Sequence, residues 1–412
     1  MNVHPPQALV TVEEARSRIV SAMPLLGSQR VDITGALGRV LCEDVVARFS
    51  HPPSSVSAMD GYACRSTDLT RLPTSLKRIG TSKAGLRFEG SVTEGTCVRI
   101  FTGAAMPSGA DTIVLQENAV AVEDAVEISE AAQPGQHIRA AGLDFTVGQR
   151  CIASGRVLSA RDIGILASCG YASVLVQRKP RISILSTGDE LVAPGSEPGP
   201  DGIMASNGVA LGAAIAAWGA TANDLGIVSD SDEAVARVVD SLMGTDLLVT
   251  TGGASVGDHD RVQAGLQKRG FVRDFWQIAM RPGKPLVFGQ VNRIPVLGMP
   301  GNPVSALVCA LLFLRPAIAT MLGRTDIEPR FERIVLGAPL PANDKREDYI
   351  RARIETDAEG RLVGTSLGRQ DSSMLLTLSR ANGLIRRRPF AARAEIGESA
   401  EAIVFDQSCA LF

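Results

Sequence analysis

The pattern of apolar and polar positions divides the chain into segments of different periodicity. Residues 8–26 follow a helical pattern, and Thr11 can cap the N-terminus of that helix. From residue 48 to about 140, short β-type runs such as TCVRIFTGA and AVEIS alternate with Gly and Pro turns. This second pattern predicts a small β domain.

Residues 180–323 alternate between strand and helix patterns. The strand runs RISILS, TANDLGIVS and DLLVT precede three predicted helices, at 207–218, 232–243 and 260–269. A long apolar helix is predicted from Pro303, and β-type runs beyond Glu328 predict a C-terminal β domain. Alternating strands and helices are typical of a doubly wound, mostly parallel sheet with helices on both faces.

Composition and charge exclude several classes of partner. A chain of 412 residues with 45% hydrophobic and 21% charged residues is expected to form two to four globular domains. The formal net charge of −2 gives no basic field for nucleic acid or anionic membranes, and 4% aromatic residues provide little for base stacking. The N-terminus has no signal-peptide pattern, and the apolar run 304–314 is too short for a bilayer, so a cytoplasmic location is expected.

The cysteines and histidines do not form a recognisable metal or disulfide pattern. The seven cysteines include no C-x-x-C pair, and the four histidines have no H-x-x-x-H spacing. We therefore expect reduced thiols and no zinc site.

Acidic residues follow three of the predicted parallel strands. Asp189 and Glu190 follow the first strand, Asp230 the second, and Asp258 and Asp260 the third. Ligands of open α/β sheets bind beyond the carboxyl ends of the strands. Any one of these acids could simply cap a helix, as Asp230 could, but three together would repel each other without a cation. Mg²⁺ is the hard cation that suits oxygen ligands and a phosphorylated substrate.

Glycine-rich and cationic loops accompany these acids. Gly252 and Gly253 in TTGGASVGD allow backbone N–H groups to approach an anion closely. RPGKP adds Arg281 and Lys284, and MPGNPVSA, which contains Pro300, leads into a helix N-terminus. The combination is suited to a phosphate or pyrophosphate substrate.

A serine-hydrolase motif in the same region does not fit that chemistry. Gly253 to Gly257 match G-x-S-x-G around Ser255, but His259, on the same loop, is the only histidine that follows. Neither a Walker A motif nor a strand-linked G-x-G-x-x-G is present in the sequence.

Six ordered motifs resemble those of the molybdopterin molybdenumtransferase family. They are SAMDGYA, FTGAAMPSGADTIVLQEN, STGDEL, TTGGASVGDHD, RPGKP and GMPGNPVSA. Members of this family insert molybdenum during molybdenum-cofactor biosynthesis and are related to the C-terminal domain of the scaffold protein gephyrin. The resemblance covers nearly the whole chain.

The resemblance implies a homodimer with four domains in each chain. The domains would be an N-terminal helix with a connecting domain (1–47 and 141–179), an inserted β domain (48–140), an α/β molybdopterin-binding domain (180–326) and a C-terminal β-barrel (327–412). The α/β domain is expected to be similar to molybdopterin adenylyltransferase. Each active site would lie between the α/β domain of one subunit and the inserted domain of the other.

The resemblance also implies the reaction and its partners. The family is thought to bind adenylated molybdopterin, molybdate and Mg²⁺, to hydrolyse the adenylate with release of AMP, and to leave molybdenum on the dithiolene sulfurs. Molybdopterin adenylyltransferase and molybdoenzyme-maturation proteins are the expected partners. A non-catalytic molybdopterin-binding or scaffold relative is the alternative, and adenylyl transfer to molybdopterin is a third possibility that the two extra β domains disfavour.

Residue roles follow from the matched motifs. The expected catalytic carboxylates, of which the last three would also hold Mg²⁺, are Asp60, Glu190, Asp230 and Asp260. The expected substrate- and cofactor-binding residues are Thr102, Arg139, Asp144, Gly252, Gly253, Ser255, Arg281, Lys284, Pro300, Arg351 and Ser372. Taken alone, the D-G pair of SAMDGYA would instead predict a hairpin turn.

The chain departs from the family pattern at several binding positions. Gln277 and Arg281 stand where the family often has lysine, so one charge is lost and one becomes a bidentate guanidinium. Asp371 replaces the usual glycine before Ser372, and in RAAGLD Arg139 is the one remaining cation. Weaker anion binding is expected.

Overall fold

The structure is a computed structural model that describes residues 9–252 and 261–405. The chain forms two compact units. The larger unit contains Met1–Gln29, Gly38–Cys42 and Leu175–Phe412, as far as these are described, and the smaller contains Arg30–Leu37 and Glu43–Val174.

The described residues form eight α-helices. They are α1 (Val12–Ser21), α2 (Ala160–Ser168), α3 (Ser206–Ala217), α4 (Asp232–Asp240), α5 (Arg261–Gln267), α6 (Pro303–Cys309), α7 (Arg315–Met321) and α8 (Leu375–Arg380). A π-helical segment, Ala310–Leu314, joins α6 to α7.

The described residues also form 26 β-strands, most of which are short. They are β1 (Ser28–Asp32), β2 (Val45–Val46), β3 (Val56–Ser57), β4 (Gly61–Cys64), β5 (Thr74–Ser82), β6 (Thr96–Ile100), β7 (Thr112–Leu115), β8 (Ala119–Val122), β9 (Ala125–Ile128), β10 (Ile138–Arg139), β11 (Arg150–Ile152), β12 (Ser173–Gln177), β13 (Arg181–Thr187), β14 (Leu191–Val192), β15 (Ile203–Met204), β16 (Thr221–Val228), β17 (Leu247–Thr251), β18 (Val272–Trp276), β19 (Met280–Arg281), β20 (Val287–Val291), β21 (Ile294–Met299), β22 (Glu332–Leu336), β23 (Glu347–Thr356), β24 (Leu362–Ser366), β25 (Gly383–Arg387) and β26 (Ser399–Val404).

Polar caps fix where the helices begin. Thr11 Oγ1 accepts a hydrogen bond from the backbone N–H of Glu14 at 3.1 Å, so α1 begins at Val12. The helix is shorter than the predicted 8–26, because Pro24 disfavours helical backbone at the residue before it. Ser231 caps α4 in the same way as Thr11 caps α1.

The smaller unit is built around a six-stranded sheet with the order β7-β4-β6-β5-β9-β8. Strand β4 pairs antiparallel with both β6 and β7. Its first residue, Gly61, lies so close to β7 that a Cβ there would be 2.0 Å from the carbonyl oxygen of Val114. A glycine is therefore required directly after Asp60.

The α/β sheet of the larger unit has the order β16-β13-β17-β21-β20-β18. The first four strands are parallel, and β20 and β18 complete the edge antiparallel. From β13 the chain passes to β16 on one side and then to β17 on the other, so the strand order reverses at β13. The prediction of a doubly wound, mostly parallel sheet is confirmed.

A continuous apolar helix, formed by α6, the π-helical segment and α7, packs into the larger unit. It runs from Pro303 to Met321 and is longer than the apolar run 304–314 that the sequence suggested. Its length and composition would allow it to cross a membrane, but 78% of its apolar window is buried inside the protein. Such burial is typical of a core helix.

The C-terminal strands form a closed barrel, as predicted. Their order is β23-β24-β22-β26-β25, and β25 pairs again with β23. The short strand β19 pairs in parallel with the start of β23, where Arg281 is in register with Asp348.

A buried arginine in β23 fixes a loop of the barrel. Arg351 is 1% exposed. Its Nε donates to Gln370 Oε1 at 3.0 Å and its Nη1 to the carbonyl of Asp371 at 2.7 Å. Gln370 Nε2 donates back to the carbonyl of Arg351 at 3.1 Å. Arg351 therefore supports the 370–371 segment, from the face of β23 opposite to Ala352 and Ile354 of the barrel core.

We expect Arg351→Met to lower the free energy of unfolding by about 2–3 kcal/mol, because acceptors of the 370–371 segment lose a charged donor. The control is Arg353→Met on the same strand, whose side chain is 56% exposed and pairs with Glu355 at 3.2 Å. It should change stability by less than about 0.5 kcal/mol. Denaturant titration measures both, and equal losses would contradict a supporting role for Arg351.

Candidate active site

A cavity of about 1030 Å³ lies within the larger unit, at the carboxyl ends of the parallel strands. Residues of both the α/β sheet and the barrel line it, including Glu190, Gly252, Arg281 and Ser372. This edge includes the point where the strand order reverses, which is where open α/β sheets bind ligands.

Two carboxylates line the sheet side of the cavity. Glu190 follows β13, and Asp230 follows the neighbouring parallel strand β16. The Glu190 carboxylate lies against Gly188, where a Cβ would come within 2.7 Å of Glu190 Oε2. The backbone N–H of Asp230 donates to Asp189 Oδ1 at 3.2 Å. Asp189 thus braces the two loops, while Glu190 and Asp230 face the cavity.

Gly252 allows the loops after β13 and β17 to approach each other closely. Its φ is +95°, and a Cβ would lie 2.2 Å from the carbonyl oxygen of Thr187. Thr187 Oγ1 is buried beside it and has no hydrogen-bond partner among the described residues. The cavity therefore contains a polar oxygen atom that a ligand or its hydration shell can satisfy.

The oxygen atoms at this edge of the sheet are ligands that fit a hard cation such as Mg²⁺. Glu190, Asp230 and Thr187 offer oxygen atoms and no sulfur or nitrogen. Within residues 9–252 and 261–405, no cluster of three His, Cys, Asp or Glu side chains is arranged for a metal. Asp260, the third predicted acid, lies outside the described residues, as do Gly253 and Ser255. The three-acid metal site remains a prediction.

Cationic side chains line another part of the cavity. Arg281, Lys284 and Arg346 all contribute, and the Arg281 side chain is 48% exposed. Arg346 Nη2 donates to Asp344 at 2.6 Å, and this side-chain hydrogen bond is the main reason that the pKa of Asp344 falls to about 2. Both groups are therefore charged at neutral pH.

The barrel contributes a hydroxyl group at Ser372. Asn302 Nδ2 donates to Ser372 Oγ at 2.8 Å, and the N–H of Val304 donates to the Ser372 carbonyl at 3.1 Å. The Ser372 hydroxyl hydrogen has no acceptor in the described part of the chain and can point to a ligand. These contacts also join the loop that begins at Pro300, a cavity residue, to the barrel.

The structure explains why aspartate can replace glycine at position 371. Asp371 does not adopt a positive φ, so no glycine is required there. Its Oδ1 accepts hydrogen bonds from the Ser373 N–H at 2.9 Å and Oγ at 2.6 Å. The residue closes the 371–373 turn without disturbing Ser372.

Arg351, predicted to bind anions, is not among the cavity-lining residues. It contacts Gln370 and Asp371 from beneath, and those two residues do line the cavity. Its position is that of a support for the Ser372 loop.

The cavity residues that were not assigned from the sequence include Thr187, Asn207, Arg346 and Gln370. Asn207 Nδ2 donates to the Gly301 carbonyl at 2.7 Å and to Thr251 Oγ1 at 2.9 Å, which joins the loops after β17 and β21. Its position as the second residue of α3, at the helix N-terminus, was a usable signal. Gln370 belongs to the G-x-Q-G-S type segment that indicated Ser372, whereas no local pattern marks Arg346.

Asp60 and Thr102 come together in the smaller unit. Asp60 Oδ1 accepts hydrogen bonds from the Thr102 N–H and Oγ1, each at 2.8 Å. These bonds hold the pKa of Asp60 below its usual value, so the carboxylate is ionised at neutral pH. A D-G hairpin turn is excluded, because β3 pairs with β10 while Gly61 lies inside β4.

Arg139 and Asp144 line a second cavity, of about 740 Å³, also within the smaller unit. Lys83 and Arg87 add two further cations to its lining. Asp60 and Thr102 are not part of that lining, although the next residue, Gly103, is. The predicted site residues therefore form separate groups, one in the larger unit and two in the smaller.

Family models match most of the chain. Residues 10–170 match the MoeA N-terminal region (domain I and II), residues 183–320 a probable molybdopterin binding domain, and residues 333–405 the MoeA C-terminal region (domain IV).

Curated relatives and a solved structure agree with these models. The molybdopterin molybdenumtransferases of Haemophilus influenzae and a Nostoc species are each 33% identical, over 92% and 93% of this chain and 94% and 91% of their own lengths. The crystal structure of a molybdopterin biosynthesis MoeA protein from Pyrococcus horikoshii is 27% identical. It covers 97% of this chain and 100% of its own, with a TM-score of 0.84. The chain therefore belongs to the MoeA family of molybdopterin molybdenumtransferases, enzymes of molybdenum-cofactor biosynthesis.

Proposed function

We propose that this enzyme binds adenylated molybdopterin and molybdate, hydrolyses the adenylate in a Mg²⁺-dependent reaction and releases AMP. The observation that carries this proposal is the mixed lining of the larger cavity, with Glu190 and Asp230 at the strand ends and Arg281, Lys284 and Arg346 nearby. A substrate with a pyrophosphate group needs both a divalent cation and cationic side chains.

The cationic residues would hold the oxyanions. Lys284 acts as a compact point charge, whereas Arg281 and Arg346, whose Nε and Nη2 atoms already donate to Asp348 and Asp344, would each present Nη1 to an oxygen atom of a phosphate or molybdate group. The Ser372 hydroxyl, which accepts from Asn302, donates its hydrogen to a ligand oxygen. Together these groups fix the orientation of the phosphoanhydride.

Glu190 and Asp230, with Thr187 Oγ1, are the described residues that would hold Mg²⁺. Bound Mg²⁺ supplies charge neutralisation and polarisation of the phosphoryl oxygens. The dithiolene sulfurs of the substrate accept the molybdenum, so the protein needs no cysteine or histidine ligands for it.

Asp60 and Thr102 would complete the site of the partner subunit in a homodimer. This arrangement is expected from the family resemblance. It is supported by the ionised state of Asp60, since a carboxylate held by two Thr102 hydrogen bonds keeps a fixed position and charge.

The reaction can be tested with purified protein, adenylated molybdopterin, molybdate and Mg²⁺. We expect AMP release that stops when EDTA removes the metal. A protein that binds the substrate without releasing AMP would be a scaffold relative, and incorporation of AMP from ATP into molybdopterin would indicate adenylyl transfer.

Glu190→Gln and Asp230→Asn should each lower the rate of AMP release at least about tenfold, because each removes one charged metal ligand. Glu190 lines the cavity, so thermal unfolding of Glu190→Gln should change little. Glu197→Gln is the control, since Glu197 is exposed in the loop that follows Glu190 and does not line the cavity. Full activity in either cavity variant would contradict its role.

Asp60→Asn and Asp260→Asn should each lower the AMP-releasing activity of a homodimer that carries the substitution in both subunits. A mixed dimer with one subunit of each variant should regain activity. If Asp60 acts in the partner's site, one site of the mixed dimer carries both substitutions and the other carries neither. Tagged heterodimers purified by two affinity steps provide the measurement. Confirmed heterodimers without activity would argue against a shared site.

Gln277→Lys should strengthen AMP binding about three- to tenfold at low salt, because it adds a cation to the lining of the cavity. The gain should shrink as ionic strength rises. Gln290→Lys, at an exposed position of β20 away from the cavity, is the matched control. Equal binding by the two variants in calorimetry would contradict a local charge effect.

A further inference from the structure

A buried carboxylate, Asp348, lies directly behind the cavity residue Arg281. Asp348 is 7% exposed at the start of β23, and β19 brings Arg281 into register with it. Arg281 Nε donates to Asp348 Oδ2 at 3.0 Å, and Nη2 donates to the same oxygen. No sequence motif singled out Asp348.

Asn343 holds the same edge of the guanidinium. Its Oδ1 accepts from Arg281 Nη2 at 3.2 Å. Its Nδ2 donates to the carbonyls of Arg346, Arg387 and Arg388 at 2.7, 3.1 and 3.0 Å. Because Asn343 is itself anchored to the backbone, the Nε and Nη2 edge of Arg281 is fixed on two sides.

The other end of the guanidinium, at Nη1, forms an ion pair with Asp344 but makes no hydrogen bond within the part of the chain that the structure describes. Arg281 Nη1 lies 3.8 Å from Asp344 Oδ2, which is too far for a hydrogen bond, and it donates to no other acceptor in the described parts of the chain. Arg281 lines the cavity with a half-exposed side chain. The planar guanidinium can therefore contact Asp348 and an oxyanion at the same time, which a lysine ammonium cannot do with fixed geometry.

The contacts of Asp348 are not those expected of a residue that only stabilises the fold. Both hydrogen bonds from Arg281 go to Oδ2, while Oδ1 is buried with no hydrogen-bond partner among the described residues. A buried carboxylate with an unpaired oxygen reduces stability. Its position beneath a cavity-lining cation gives it another use.

We propose that Asp348 is a positioning residue that orients Arg281 so that Nη1 binds a tetrahedral oxyanion in the cavity. The inference rests on the proposed function, because it assumes that phosphate or molybdate binds there. Orientation before binding removes the entropy cost of fixing a long side chain when the anion arrives.

A double-mutant cycle tests this inference by calorimetric binding of AMP alone and of molybdate alone. Asp348→Asn should weaken binding of one or both probes about three- to tenfold. In the Arg281→Gln background the same change should have no further effect, because Asp348 acts through Arg281. The probe that loses affinity identifies whether phosphate or molybdate contacts Nη1.

Asp357→Asn is the matched control, since Asp357 follows the same strand and pairs with Arg361 at 2.8 Å away from the cavity. It should leave both affinities unchanged. Arg281→Lys keeps the positive charge but loses the planar guanidinium, so it should weaken binding of the same probe as Asp348→Asn does. It replaces Asp348→Asn in the test if that variant does not fold.

The inference would be overturned, and the proposed function left intact, if Asp348→Asn or Arg281→Lys bound both probes as the wild type does. The same holds if Asp348→Asn lowered the affinity equally in the wild-type and Arg281→Gln backgrounds. A wild-type protein that binds neither probe and releases no AMP would overturn the proposed function as well.

Discussion

Parallel strands that reverse their order at β13 bring the loops after β13, β16 and β17 to one edge of the sheet. At that edge the carboxylates of Glu190 and Asp230 both face a cavity. Like charges in a recess are unfavourable unless a cation joins them. The proposed binding of a divalent cation and a polyanionic substrate would satisfy this constraint, and the cationic and hydroxyl groups of the cavity lining are consistent with that proposal.

The barrel contributes the residues of the cavity lining that the α/β sheet does not provide. It provides Ser372 and Gln370, and the turn before β23 provides Arg346. Arg351 supports the 370–371 segment by hydrogen bonds to Gln370 and Asp371. If Asp348 orients Arg281 as proposed, the barrel also controls a cation that the α/β domain contributes. An α/β domain alone would have the acidic edge with Arg281 and Lys284, but not Arg346 or Ser372.

Local patterns were sufficient to predict the α/β sheet and the acidic edge, whereas the closed barrel was expected from the family resemblance. Alternating strands and helices predicted the sheet, and the position of each acid after a strand predicted that Glu190 and Asp230 would share a cavity lining. The predicted end of α1 was wrong because the apolar pattern of residues 8–26 continues past Pro24, whereas proline disfavours helical backbone there and the helix ends at Ser21.

Contacts distant in sequence could not be predicted in this way. Arg281 and Asp348 meet because β19 pairs with β23, and nothing in either segment signals that pairing. Arg351 was expected to bind anions from the family resemblance, and that role stays a prediction; its burial and its contacts with Gln370 and Asp371 could not be read from the strand pattern. The seven residues of SAMDGYA could not exclude a hairpin turn, because only the pairing of β3 with β10 does so.

A crystal structure of the protein soaked with AMP and Mg²⁺ tests the central claim most directly. The account predicts a metal ion held by Glu190 and Asp230, with the AMP phosphate against Arg281, Lys284 or Ser372. A nucleotide bound outside this cavity, or carboxylates that contact no metal at saturating Mg²⁺, would contradict it.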